Sequence, residues 1–133
     1  MHKFEENVAV DIAVSPRAVT TTTEIDGVAL DMAKYNNVAF AVQLASGTQA
    51  GALTCYIAEG TTSTQFSDTM LATVTLASST DTDGIDTVEL RAEEMTAGYR
   101  YVRLEVNPAA GDSKTLSATA MRFNPRFKSG VAL

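Results

Sequence analysis

Few residues in this chain are placed to do chemistry, and each can be tested against the spacing its chemistry requires. Between Ser79 and Leu90, the residues Asp81, Asp83 and Gly84 match the third, fifth and sixth positions of an EF-hand calcium loop, where carboxylates ligate the ion and glycine makes the sharp turn. The frame fails at both ends. Ser79 stands first, and Leu90 stands where a bidentate glutamate belongs, so the stretch reads as a solvated acidic hairpin. His2 is the only histidine, so the converging imidazoles of a zinc or cupin-type centre are missing. A Ser-His-Asp triad would have to recruit His2, and no GxSxG elbow exists to present a serine. Gly47 to Gly51 lacks the Gly-Lys-Ser/Thr ending of a phosphate loop, and Glu93-Glu94, without a pocket signature around it, reads as surface charge. Cys55 is the single cysteine, which excludes an intrachain disulfide or a CxxC pair. It sits at strand spacing between Leu53 and Ile57 and reads as a buried, inert thiol. The expectation is a protein that is not an enzyme and carries no metal or cofactor.

Composition and charge narrow the remaining classes. The 133 residues fit one domain able to bury a core without a staple. Runs of Thr, Val and Ala, 5 Phe, 4 Tyr and no Trp lean toward strands. The net charge of -6 is unevenly spread: all 16 acids lie at or before Asp112, and Lys114, Arg122, Arg126 and Lys128 follow it. An acidic body argues against nucleic-acid binding, which needs a clustered basic face to displace counterions from phosphates. Asp11 interrupts the apolar residues from Val8 to Val14, so no signal peptide or membrane span is expected and synthesis would be cytoplasmic.

The elements that must position any site are strands. The clearest is Tyr99 to Asn107 after Gly98, where Val102, Leu104 and Val106 alternate with Tyr101, Arg103 and Glu105. Residues 1–19 alternate weakly and meet Pro16, which predicts an edge strand or an extended arm. Asp26-Gly27 predicts a two-residue hairpin turn between Thr20–Ile25 and Val28–Met32. Asn36-Asn37 predicts the next turn. Val38, Phe40, Val42 and Leu44 then point inward, with the small residues Ala39, Ala41 and Ala45 and Gln43 opposite, a face flat enough to lie against a neighbouring chain. Leu53, Cys55 and Ile57 mark another strand, Thr61 to Asp68 an irregular stretch, and Met70 to Leu76 a strand with Ala72, Val74 and Leu76 inward. Asp83-Gly84 closes a turn before Val88 and Leu90. Ala92 to Ala97 predicts one helical turn, and Thr115 to Phe123 the last strand, broken by Asn124-Pro125.

About eight strands at spacings of roughly 8 to 15 residues, with no strand-helix-strand repeat, predict an all-β protein, an antiparallel two-sheet β-sandwich. A jelly roll is the leading topology, with an immunoglobulin-like sandwich behind it. The boundaries read as an N-terminal arm or edge strand over 1–19, the sandwich over 20–123 and a C-terminal tail over 124–133. Around that tail, Arg122, Phe123, Arg126, Phe127 and Lys128 combine cations with aromatics. They are the candidate protein-interaction residues, read as a docking arm because aromatic and Arg side chains are enriched at interface hot spots.

Four pieces of the chain, in this order and spacing, resemble the jelly-roll cement or decoration proteins of tailed-bacteriophage heads. They are Asp26-Gly-Val-Ala-Leu-Asp-Met-Ala-Lys-Tyr35 with Val38 to Leu44; Leu53 to Glu59 with Ser63-Thr-Gln-Phe-Ser-Asp68; Arg100-Tyr-Val-Arg-Leu-Glu-Val106; and Asn124-Pro-Arg126. The loop Ala58-Glu-Gly-Thr61 departs from the Asp-rich turn of that family, and residues 1–19 lie outside the match. The resemblance implies a virion protein on the capsid exterior, made in the host bacterial cytoplasm, that assembles as a homotrimer and bridges copies of the major capsid protein. Direct contact with nucleic acid or membrane is not implied. The alternatives are a carbohydrate- or receptor-binding sandwich, which the absence of Trp equips poorly, or another phage head or tail accessory protein.

Overall fold

The computed structural model describes residues 7–19, 22–45, 53–76, 84–109 and 114–126. His2, the Gly47–Gly51 stretch, Ser79 to Asp83, Phe127 and Lys128 lie outside them. The described elements are β1 (Ala9–Val19), β2 (Ile25–Asp26), β3 (Leu30–Asp31), β4 (Tyr35–Leu44), β5 (Leu53–Gly60), β6 (Phe66–Leu76), β7 (Gly84–Arg91), a 3-10 turn (Ala92–Glu94), β8 (Tyr101–Asn107) and β9 (Lys114–Pro125). Among the described residues, no helix is long and apolar enough to cross a membrane.

The strands form two antiparallel sheets, sheet A in the order β1-β9-β4-β7 and sheet B in the order β2-β8-β5-β6, with β3 also paired to β8. Taking β2 and β3 as one interrupted strand, the first strand pairs with the last, the second with the next to last, and so on inward to β5 with β6. That is a long antiparallel hairpin rolled into two packed sheets, which is the jelly-roll arrangement.

The inward faces follow the period-two pattern. Val38, Phe40, Val42 and Leu44 of β4 meet Leu53, Cys55 and Ile57 of β5, Val88 and Leu90 of β7, Val102, Leu104 and Val106 of β8, and Leu116, Ala118 and Ala120 of β9 in one buried cluster. In β1, a register break between Ile12 and Val14 puts two successive residues, Ala13 and Val14, into the core, as a β-bulge does.

Several local expectations are overturned. Asp26-Gly27 is not a hairpin turn, because β2 and β3 run along the same partner, β8. Between them the chain bends toward the other sheet: Gly27 N–H donates to the Leu104 carbonyl at 2.7 Å, and Val28 N–H donates to the Ala13 carbonyl at 2.8 Å. Glycine is required by proximity, since a Cβ there would lie 2.6 Å from Leu104 O and 2.8 Å from Ala13 O. Val28 leaves the core pattern at this bend and is exposed, while Leu30 and Met32 stay buried. Asn36-Asn37 is not a turn but part of β4, with Asn37 opposite Arg91 and Phe123. The turn comes earlier, where Asp31 Oδ1 accepts the Ala33 N–H at 2.9 Å. β6 begins at Phe66, inside the stretch expected to be irregular, and the expected helical turn shortens to Ala92–Glu94. Residues 9–19 form an edge strand of sheet A, and β9 continues through Asn124 to Pro125.

Candidate functional site

Strand alternation and register together assign each outward side chain of sheet A to a row. Phe123, Asn37 and Arg91 share one row; Val10, Met121, Ala39 and Glu89 the next; Ile12, Thr119, Ala41 and Thr87 the third; Ser117, Gln43 and Ile85 the fourth. In the two central rows, β9 and β4 present Met121 beside the short side chains of Thr119, Ala39 and Ala41, so most of the middle is low. Large apolar groups rise at its borders, with Val10 55%, Ile12 62% and Ile85 65% exposed. Among the described residues of these rows, charge is confined to Glu89 and Arg91 on the β7 side. Four strands at about 4.8 Å and four rows about 6.8 Å apart span roughly 300 Å² between outer Cα atoms. At its Ile85 end the face dips into a shallow hollow lined by Gln43, Ile85, Thr115 and Ser117.

The candidate residues around the tail separate. Phe123 lies on the sheet A outer face, half-buried, opposite Asn37. Arg126 is exposed at the end of β9, its N–H donating to the Lys34 carbonyl at 2.9 Å and its Nε to the Tyr35 carbonyl at 3.4 Å. Arg122 is held within the fold. Its side chain follows the inward parity of Ala118 and Ala120 and ties the two sheets together. Nη1 donates to the Asp31 carbonyl of β3 at 2.8 Å, Nη2 donates to Asp11 Oδ2 of β1 at 2.9 Å, and the guanidinium lies 5.2 Å from the centre of the Tyr35 ring. The same Asp31 receives a two-pronged contact from Arg100, Nε to Oδ1 at 2.8 Å and Nη2 to Oδ2 at 2.6 Å. Those hydrogen bonds, with the Ala33 N–H, hold the Asp31 carboxyl below the usual aspartate range against the opposing effect of burial.

The outer side of sheet B carries a charge network that alternation alone does not reveal. Glu105, on the side opposite Val102, Leu104 and Val106, is buried. Its Oε1 accepts Arg103 Nε at 2.7 Å, and Arg103 Nη2 lies 2.6 Å from the same oxygen and 3.2 Å from Asp26 Oδ1. The Arg103 guanidinium stacks on Phe66, 4.3 Å from the ring centre. Tyr56 O–H donates to Glu24 Oε2 at 2.7 Å. That bond favours ionised Glu24, yet burial and the adjacent Glu105 and Asp26 outweigh it and leave the Glu24 carboxyl above its ordinary value. Oxygens of Glu24, Asp26 and Glu105 lie within 4.8 Å of one another, spacing a cation could use. Arg103 already supplies the positive charge there, so the cluster reads as a paired structural network. Burial pushes the Cys55 thiol up to about 12, the property of an unreactive core cysteine. Glu59, also buried, accepts the Thr96 N–H at 2.7 Å and so fastens the segment before β8.

The small outward residues of β4 were legible as a face. Its extension through Val10, Ile12, Met121 and Ile85 was not, because that depends on which strands pair. No family model matches the sequence, and no curated protein matches it significantly. Among solved structures, a chain in the structure of infectious bursal disease virus, Gx strain, is similar with a TM-score of 0.58 at 13% identity, over 91% of this chain and 33% of that one. A chain from Bacillus endospore appendages, described as a family of disulfide-linked pili, is similar with a TM-score of 0.50 at 15% identity, over 89% of this chain and 88% of that one. This chain therefore spans about a third of the viral chain and most of the pilus chain. At such identities the likeness is one of fold, a β-sandwich of the kind found in a virus structure.

Proposed function

We propose that this chain is a structural protein without a reaction of its own, a cement protein that binds the outside of an assembled bacteriophage head and bridges copies of the major capsid protein. The observation that carries the proposal is the outer face of sheet A, low over most of its middle, where charge among the described residues lies only along the β7 side and Val10, Ile12 and Ile85 are exposed at the borders. The viral fold likeness supports the structural role, and the sequence resemblance supplies the capsid exterior as its location and a homotrimer as its state. Disulfide linkage of the kind named for the pili is poorly served by this sequence, whose single cysteine is enclosed between the sheets.

The energetics suit a cement. A face of roughly 300 Å² is well below the roughly 800 Å² per partner of a standard stable interface, so each contact alone is weak. A trimer that engages three equivalent sites gains avidity by orders of magnitude over one contact. A ligand bound only to the assembled shell then stabilises it by about 2.7 kcal/mol per site at a hundredfold excess over Kd. The test is co-sedimentation with heads of the phage that encodes the chain. Wild-type protein is expected to bind expanded heads saturably, and Ile12→Glu with Ala41→Arg, two outward substitutions that leave the core untouched, to lose most of that binding. Failure of the wild type to bind, or unchanged binding by the folded double variant, rejects the proposal.

A further inference from the structure

Each sheet of the sandwich has two edges, and among the described residues three of the four carry devices that discourage strand addition along their length, while the fourth carries them only in its first half. β1 contains Pro16 and two register breaks. β7 carries Asp86, Glu89 and Arg91. The β2 and β3 edge is cut into two-residue pieces at Gly27 and carries Asp26 and Asp31. The fourth edge is different. From Met70 to Leu76, β6 reads Met-Leu-Ala-Thr-Val-Thr-Leu, with no charge, proline or glycine, and its centre is rich in β-formers. β6 has two register breaks, at Leu71 and between Met70 and Phe66, and carries Asp68 in its first half, but Ala72 to Leu76 run in unbroken register with Ile57 to Leu53 of β5. The inward side chains of this edge, Leu71, Ala72, Val74 and Leu76, are only partly buried, whereas Leu53, Cys55 and Ile57 on the adjacent strand are fully enclosed. Among the described residues, the core is least covered along β6.

We propose that β6 pairs antiparallel with β6 of a second copy of this chain, joining two B sheets into one continuous sheet across a two-fold axis. A second copy is the occupant that this uncharged run suits. Two chains of net charge -6 repel, and a two-fold antiparallel pair sets each strand against its own sequence, so a charged edge would meet like charges. The uncharged β6 run avoids this. A two-fold axis at Val74 sets Thr73 opposite Thr75 on the outer side, a favourable cross-strand pair, and Val74 opposite itself with Ala72 opposite Leu76 on the inner side, where the added strand covers half-buried apolar groups. This contact is separate from the sheet A face.

Hydrogen exchange of the whole protein, followed from micromolar to millimolar concentration beside its measured mass, tests the pairing. Association is expected to slow amide exchange in the 70–75 segment while the β1 and β7 edges stay unchanged. The double variant Thr73→Lys, Thr75→Lys puts two like-charge pairs into the joined strands and is expected to raise the dissociation constant by about tenfold. Thr73→Glu with Thr75→Glu, which also sets like charges directly opposite each other, serves as the second variant should the lysine double fail to fold. Ile12→Glu, on the other sheet, leaves β6 protection as in wild type. A chain that does not associate through β6 at millimolar concentration, association with no slowing of exchange in the 70–75 segment, or folded charged variants that associate like wild type overturns the proposal. Head binding, measured separately on the same variants, keeps this outcome distinct from that of the cement reading.

Discussion

Replacing Arg122 with alanine separates a structural tie from a docking residue. The substitution removes the Nη1 bond to the Asp31 carbonyl, the Nη2 bond to Asp11 and the stack on Tyr35. Hydrogen bonds to charged groups contribute about 1.5 to 3 kcal/mol when enclosed. The Arg122 side chain is 18% exposed but that of Asp11 is 37%, so the ion pair is partly screened by solvent. Its share is then below about 1 kcal/mol. The carbonyl bond, at about 1.5 kcal/mol, is the larger contribution, and the aromatic stack adds about 0.5 kcal/mol. Against these stands the buried Nε, which has no partner and whose desolvation is relieved by truncation. That returns about 1 kcal/mol, leaving a net loss of about 2 kcal/mol. For a chain of this size, each kcal/mol corresponds to roughly 3 to 5 °C in Tm, so the expected fall is about 6 to 10 °C. Urea unfolding should show a lowered midpoint with an unchanged slope. Arg122→Met keeps much of the apolar stem and is expected to recover only part of the loss, because the two hydrogen bonds stay broken. A stability within about 0.5 kcal/mol of wild type would refute the reasoning.

Gly27→Ala forces a Cβ to within 2.6 Å of one carbonyl and 2.8 Å of another, both backbone atoms that cannot step aside, and is expected to destabilise by about 2 to 4 kcal/mol in denaturant melts. Cys55, buried and with its thiol raised to about 12, should react with a thiol reagent only at the rate of unfolding, so fast labelling of native protein would contradict the core placement. Glu59→Leu removes the acceptor for the Thr96 N–H and is expected to destabilise by about 1 to 3 kcal/mol, with Glu59→Gln milder because its amide oxygen still accepts. Asp31 has its folded-state value depressed below the usual 3.8, so its contribution is present above that value and is lost as pH falls through the folded value. Stability measured from pH 5 downward should therefore fall more steeply for wild type than for Asp31→Asn, and parallel curves would show that the Arg100 contact does not hold the carboxylate in solution.

Much of the sandwich was legible in the residues themselves. The alternation of Val38, Phe40, Val42 and Leu44, or of Val102, Leu104 and Val106, assigns side chains to faces wherever the chain is extended, because successive residues of a strand point oppositely whatever lies beside it. The counts of one histidine and one cysteine were equally legible, since they are read without coordinates. Local turn signals were less dependable. Asp26-Gly27 has the composition of a tight hairpin, yet glycine fits a close backbone approach as well as a turn, and only the positions of Leu104 and Ala13 distinguish the two.

The candidate face and the Arg122 tie belong wholly to the tertiary structure. Val10 and Met121 are adjacent, as are Gln43 and Ile85, only because β1, β4, β7 and β9 pair in one register, and a slip of one residue would turn the face inside out. Arg122 looks like part of a basic tail in one dimension and becomes an inter-sheet bridge when β9 lies between β1 and β4. The sequence determined which side chains share a side of each strand, because that depends on a local two-residue repeat. Which strands became neighbours, and hence what each side meets, was decided by hydrogen bonding and close packing between segments far apart in the chain.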